Sequence, residues 1–225
     1  MYSELSITSG HRGYIKRELK ENDMSARSTT SSRILDAAEA HFAERGYDGS
    51  SLAEIAAAVG IKKASLYAHF ANKDALFMDV FRKALAYERE AAARCFKHEP
   101  TENGPGSSYA EDLIKRYDST QQLRFLLRTS YMPPEKLKVS IDEGHERYLD
   151  QLCEAFEARV RLWGASLSKA TLQQYGQAYV GIIDSLQVKL VYTDCEQAAM
   201  RWAVMQQMLN AALQQAASQE VSHER

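Results

Sequence analysis

Residues 51–77 read SLAEIAAAVGIKKASLYAHFANKDALF, and their spacing encodes a helix, a tight turn and a second short helix. Ser51 followed by Glu54 forms a capping box, in which a hydroxyl and a carboxylate meet the orphan amides of a first helical turn. Leu52, Ile55 and Val59 recur at helical spacing and supply a buried side, and Gly60 closes the helix after about two turns. KKASLYAHF restarts almost without a linker, with Leu66 and Phe70, four apart, as its apolar anchor. Two short helices around a Gly-containing turn make a helix-turn-helix motif. Asn72 then caps a longer helix, KDALFMDVFRKALAYEREAAARCF, whose Leu76, Phe77, Val80, Phe81, Ala84 and Leu85 form a core-facing stripe.

Upstream, the spacing predicts a helix through ILDAAEAHFAERG that starts after the Ser/Thr cluster at residues 28–32, buries Ile34, Leu35, Ala38 and Phe42, and ends at Gly46. Downstream, residues 98–108 break the pattern. YAEDLIKRYDS and TQQLRFLLRTSY read as two further helices, the second stopped by Pro133 and Pro134. Pro134 opens a long helix ending near Trp163. The last two helices are expected from Ser168 to Val191 and from Asp194 to Ala217, with Thr193 and Glu196 as a second capping box. No stretch alternates with period two, so the predicted fold class is all-α with about nine helices. Residues 1–29 read as a disordered or flexible extension, and Met24 offers an alternative natural start. The helix-turn-helix unit occupies residues 30–77, and a helical domain residues 78–225.

With 225 residues, 45% of them hydrophobic, the chain can bury a sizeable core. Its apolar runs fall far short of the roughly 20 residues that cross a bilayer, and no apolar h-region opens it, which predicts a cytoplasmic protein without membrane association. Cys95, Cys153 and Cys195 lie far apart and outside any zinc-ligand spacing, so they read as reduced thiols packed in the fold. The formal net charge of −2 argues against indiscriminate nucleic-acid binding, which leaves a local patch as the means of any contact.

The second helix of a helix-turn-helix enters the major groove by its N-terminal residues. Lys62 and Lys63 stand there, and Ser65, Tyr67, His69 and Lys73 offer donors that suit phosphate. Singly, such lysines are ordinary solvated charge. Between residues 24 and 80 six basic residues face seven acidic ones, so charge alone does not establish DNA binding.

The ordered string GYDGSSLAEIAAAVGIKKASLYAHFANKDALF, residues 46–77, resembles the N-terminal signature of TetR-family transcriptional regulators, and the likeness runs over about residues 31–85. The matching features are the Gly-Tyr after helix one, the hydroxyl before helix two, the Ile-Ala pair, the Gly-hydrophobic turn, Leu-Tyr-x-His-Phe, and the Lys opening helix four. The resemblance implies that Ser51, Tyr67, His69 and Lys73 contact phosphates, and that Lys63, Ala64 and Ser65 approach base edges or the adjacent backbone. Two departures stand out. Lys62 replaces a frequent capping Ser or Thr and adds a phosphate-binding cation, while Ala68 replaces a larger side chain that often reaches the groove.

By the same resemblance the helical domain binds a small effector and forms a homodimer, and the whole is a repressor released from a palindromic operator by that effector. Tyr175, Tyr179, Ile182 and Leu186 on one C-terminal helix, and Trp202, Met205 and Leu209 on the next, are the expected dimer interface. Phe125, Arg128, Tyr131, Tyr148, Phe156 and Trp163 are candidate pocket linings. Arg128, if buried beside Tyr131, favours an anionic or carbonyl-bearing effector. No cofactor or metal is implied: His145, Leu149 and Cys153 stack along one helix face, but that face carries too few ligands. The alternative is a helical enzyme, with His69 or His145 as base, or a pure interaction module. Neither histidine has a partner that spacing can place beside it, and no Walker-type loop, dinucleotide fingerprint or H-E-x-x-H occurs.

Overall fold

Ser51 opens its helix as the spacing predicts: the Glu54 amide donates to Ser51 Oγ at 3.2 Å, and Ser51 Oγ donates to Glu54 Oε2 at 2.8 Å. The computed structural model describes residues 29–100, 102–164 and 167–223. The extension before residue 29, with the alternative start at Met24, lies outside the described residues. Among those described, all regular structure is helical.

Helix α1 spans residues 29–45, α2 Leu52–Val59, α3 Lys63–Tyr67 and α4 Lys73–His98. They are followed by α5 Ser107–Tyr117, α6 Gln121–Tyr131, a 3-10 turn Glu135–Leu137, α7 Lys138–Leu162, α8 Lys169–Tyr192 and α9 Cys195–His223. By its contacts the chain divides into two compact units, one up to Phe77 and one from Met78 onward.

In the first unit Ile34, Ala38 and Phe42 of α1 are buried with Leu52, Ile55, Val59, Leu66 and Phe70, while Leu35 is only half-buried. Phe77 closes this core edge-on against Phe42 and Tyr47, with ring centroids 4.8 and 5.3 Å away. The Ser/Thr cluster does not precede α1 as expected. Residues 29–32 are already helical, so Ser31 projects from the helix rather than capping it.

In the second unit α8 packs on α7, α9, α6 and α5. Its Tyr179 stacks on Phe156 of α7 with centroids 4.3 Å apart, and Phe96 of α4 meets Tyr179 edge-on. The pattern-breaking stretch before α5 is fastened down. The buried Glu99 carboxylate accepts from the amides of Gly106 at 3.0 Å and Ser108 at 2.8 Å, and pairs with Arg159 Nε at 3.0 Å. Gly106 has φ +79°, and a Cβ there would lie 2.4 Å from the Tyr179 ring, so glycine is required twice over.

Two helix starts differ from the spacing. Pro134 leads into a single 3-10 turn before α7 begins. α9 is capped by Asp194, whose Oδ1 accepts from the Gln197 amide at 2.7 Å; Thr193 instead donates to Lys189 O, so the expected Thr193–Glu196 box does not form.

Candidate nucleic-acid interface

The turn between α2 and α3 consists of Gly60, Ile61 and Lys62. Gly60 adopts φ +76°, ψ +28°, and the amides of Gly60 and Ile61 return to Ala57 and Ala56 carbonyls at 3.0 Å, closing α2 with a left-handed cap. From the side of α1, Arg33 donates to Val59 O at 3.0 Å, satisfying another orphan carbonyl at the same end. The turn is thereby held from two directions, which orients α3.

Leu66 is fully buried and Phe70 nearly so, while Lys62, Lys63, Ala64, Ser65, Tyr67 and Ala68 are exposed. Anchor and outward face thus separate on a helix of five residues. Lys62 stands at the N-cap of α3 without a capping side-chain bond, which leaves its ammonium for other partners. Lys63 Nζ lies 5.9 Å from the centre of the Tyr67 ring, and Tyr67 is 48% exposed, so two of the proposed donors share one patch.

The other proposed contacts are more deeply tied into the fold. Ser51 spends its hydroxyl proton on Glu54, whose carboxyl is lowered first by that bond and then by Arg45, itself paired to Glu54 at 2.9 Å. Lys73 Nζ donates to Ser50 O at 2.9 Å and sits 4.2 Å from the centre of the Tyr47 ring. An ammonium has three N–H groups, so this tether leaves donors over while fixing where they stand. Tyr47 in turn donates to Asp74, and burial, reinforced by Asp74, pushes its phenol up to about 12. His69 is half-buried, with Ser31 Oγ 2.8 Å from its Nδ1. Sequence reasoning missed Ser31, Arg33 and Tyr47 as supports. Only Tyr47 left a trace, in the Gly-Tyr that closes helix one.

The candidate pocket residues of the second unit scatter. Phe125 and Phe156 are core, and Trp163 is half-buried at the C-cap of α7. Arg128 is exposed rather than buried beside Tyr131, because it falls on the solvent side of α6; the argument for an anionic effector from that pair therefore lapses. Tyr131 Oη lies 2.9 Å from Gln187 Oε1 and also bonds Asp184. Tyr148 is buried and belongs to a polar chain: Gln187 Nε2 donates to its hydroxyl at 3.2 Å, it bonds the Tyr109 hydroxyl, and Tyr109 donates to Glu88 at 2.9 Å. Arg116 closes the chain on Glu88 with two bonds of 2.9 Å. Tyr148 also lines a cavity of about 220 Å³ between α4 and α7, with Ala92, Phe96 and Leu152 as walls and Arg89 and Gln151 at the rim.

Of the expected dimer residues, Tyr179, Leu186, Trp202 and Leu209 are buried within their own chain, and Tyr175, Ile182 and Met205 are half-buried. The apolar side chains that α9 turns outward are Met200, Val204 and Met208, each more than half exposed and one turn apart.

His145 packs between Tyr131 and Tyr148, and its buried Nε2 has no hydrogen-bond partner among the described residues. Burial lowers its pKa, with Asp184 pulling the other way. The unfolded chain, whose histidine titrates near 6.5, then takes up the proton first, so stability should fall as pH drops through that value. His145→Leu is expected to flatten this acid-side decline in denaturant titrations between about pH 7.5 and about pH 5.5. An unchanged slope would remove His145 as its source.

All three cysteines are held as thiols. Burial, then Asp112, pushes Cys95 up to about 11; burial, then Asp118, does the same for Cys195; burial, then Glu157, raises Cys153. No group of His, Cys, Asp and Glu side chains among the described residues is arranged to hold a metal, and no described helix is long and apolar enough to cross a membrane.

Residues 34–80 match the tetR family of bacterial regulatory proteins. The biofilm operon icaADBC negative transcriptional regulator IcaR of Staphylococcus epidermidis is 29% identical over 126 residues, 56% of this chain and 55% of that protein. Its Staphylococcus aureus counterpart is 51% identical over 45 residues, 20% of this chain and 24% of the relative. The chain thus spans about half the length, or less, of these curated relatives. Among solved structures, a TetR-family transcriptional regulator from Agrobacterium tumefaciens superposes with a TM-score of 0.61 at 19% identity, over 81% of this chain and 97% of that one. AibR, solved with isovaleryl coenzyme A and operator DNA, superposes at 0.54 with 20% identity, over 77% and 97% of the two chains. The family match runs from α1 into the first turns of α4, and the chain shares its fold with solved TetR-family regulators.

Proposed function

We propose that the chain is a repressor that binds a palindromic DNA operator as a homodimer and leaves it on binding a small effector. It would act in the cytoplasm, where its DNA target lies. The observation that carries this reading is the outward face of α3: Lys63, Ala64, Ser65 and Tyr67 exposed on a helix anchored by Leu66 and oriented by a capped turn. On this reading Lys62, Lys63, Tyr67, His69 and Lys73 hold phosphates, Ala64 and Ser65 approach the groove floor, and Ser51 acts by fixing the start of α2. The match of residues 34–80 to a family of bacterial regulatory proteins favours this reading over the helical-enzyme alternative.

The second copy is expected to pack on Met200, Val204 and Met208, with half-buried Tyr175, Ile182 and Met205 at the margin. The effector site is assigned to the cavity beside Tyr148, where apolar walls and Arg89 suit a small molecule with one polar end. Helix α4 is continuous from Lys73 to the wall of that cavity, so it is the element through which ligand binding would reach the phosphate contact.

Gel shifts over a salt series, with DNA from the promoter of its own gene and excess competitor, test the reading. Lys73→Ala and Tyr67→Phe are expected to weaken binding to all sequences alike, and Lys73→Ala to flatten the salt slope by about one unit. Lys63→Ala should weaken binding and relax sequence preference. Wild-type affinity in all three variants would remove the interface from this face.

A further inference from the structure

Ser31 of α1 and His69 of the turn after α3 are far apart in sequence, yet Ser31 Oγ lies 2.8 Å from His69 Nδ1. Four charged groups nearby are engaged elsewhere: Arg33 of α1 with Val59 O, Lys63 of α3 with the Tyr67 ring, Lys73 of α4 with Ser50 O, and Asp74 with Tyr47. The Ser31 hydroxyl is the group within hydrogen-bond reach of His69 Nδ1.

A phosphate oxygen only accepts hydrogen bonds, so a histidine that holds one must present an N–H. A neutral imidazole carries a single N–H, on one nitrogen or the other. If the partner at Nδ1 donates, Nδ1 is the acceptor and the proton resides on Nε2.

We propose that Ser31 is a positioning residue for DNA binding: its hydroxyl donates to His69 Nδ1, which holds the neutral ring as the Nε2–H tautomer and aims that N–H at a backbone phosphate. The inference rests on the phosphate role assigned to His69 above. Ser31 touches no DNA in this account; it lets His69 donate without first acquiring a proton. A serine at the edge of α1 thus makes the contact available at neutral and alkaline pH. The protonated ring has N–H groups on both nitrogens and no longer depends on Ser31 for a donor.

The test is fluorescence anisotropy with a short random-sequence duplex at low salt, where sequence-independent phosphate contacts dominate. Wild type, Ser31→Ala, Ser31→Thr, His69→Ala and the double Ser31→Ala/His69→Ala variant are compared at about pH 8 and about pH 6, on either side of the histidine range. The readout is each variant's affinity relative to wild type at the same pH. Ser31→Ala is expected to bind about tenfold more weakly at the higher pH and to approach wild type at the lower one. Ser31→Thr should bind as wild type, and the double variant should be no weaker than His69→Ala alone. Equal loss in Ser31→Ala at both pH values would assign Ser31 a structural role and overturn the proposal, as would no loss at either. Wild-type affinity in His69→Ala at both pH values would overturn the phosphate contact itself, and the proposal with it.

Discussion

Replacing Arg116 with methionine is expected to lower the unfolding free energy by about 3–5 kcal/mol, enough to remove a large part of a domain's stability. The guanidinium makes two 2.9 Å bonds to Glu88, whose side chain is only 1% exposed. Burial works against the charge on Arg116, but Glu88 and Asp112 outweigh it and hold the guanidinium charged. Methionine fills the volume and leaves Glu88 the bond it accepts from Tyr109. The cost is that of the stranded carboxylate rather than of the lost bond. Urea titrations at neutral pH read the loss directly. Adding Glu88→Gln should recover most of it, because no buried charge then remains. A single variant that unfolds like wild type would show that water reaches Glu88.

The second large effect concerns assembly. In the proposed homodimer, Val204→Glu is expected to give a monomer and to reduce operator affinity by about a hundredfold or more, since one recognition helix then reads one half-site. Val204 is 58% exposed between Met200 and Met208, so a charge there should change the stability of the isolated chain by no more than about 0.5 kcal/mol. In a two-fold interface a residue near the axis approaches its own copy, and two glutamates then repel. Sedimentation velocity distinguishes the outcomes directly. A variant that remains dimeric would place the interface elsewhere. Trp202 and Leu209 are poor sites for the same test: they are buried in their own chain, and charges there would unfold it.

What could be read from the sequence was what local spacing encodes. Ser51, Gly60 and Asn72 announce the ends of α2 and the start of α4 through chemistry that spans three or four residues, and each does so in the structure. The interior of the first unit followed from Ile34, Phe42, Leu66 and Phe70 at helical intervals. Pairings across the chain left no such trace. Glu99 and Arg159 are 60 residues apart, and no periodicity announces that two charges will meet inside a bundle. On α9 the pattern itself is ambiguous. Trp202, Leu209 and Leu213 face inward while Met200, Val204 and Met208 face outward, so apolar residues occupy both sides and spacing alone does not separate core from contact surface. Ser31 sits in a Ser/Thr cluster whose local chemistry suggests a helix start; only the folded position of His69 reveals its partner.

The raised thiols of Cys95, Cys153 and Cys195 carry a practical consequence. Maleimides and iodoacetamides react with thiolates, and at neutral pH these three sites supply very little of that form. A cysteine introduced at an open surface position, such as Ala68 beside α3, should therefore take up a fluorophore far faster than the native three. In the proposed dimer, the distance between probes on its two α3 helices then becomes measurable without first building a cysteine-free background.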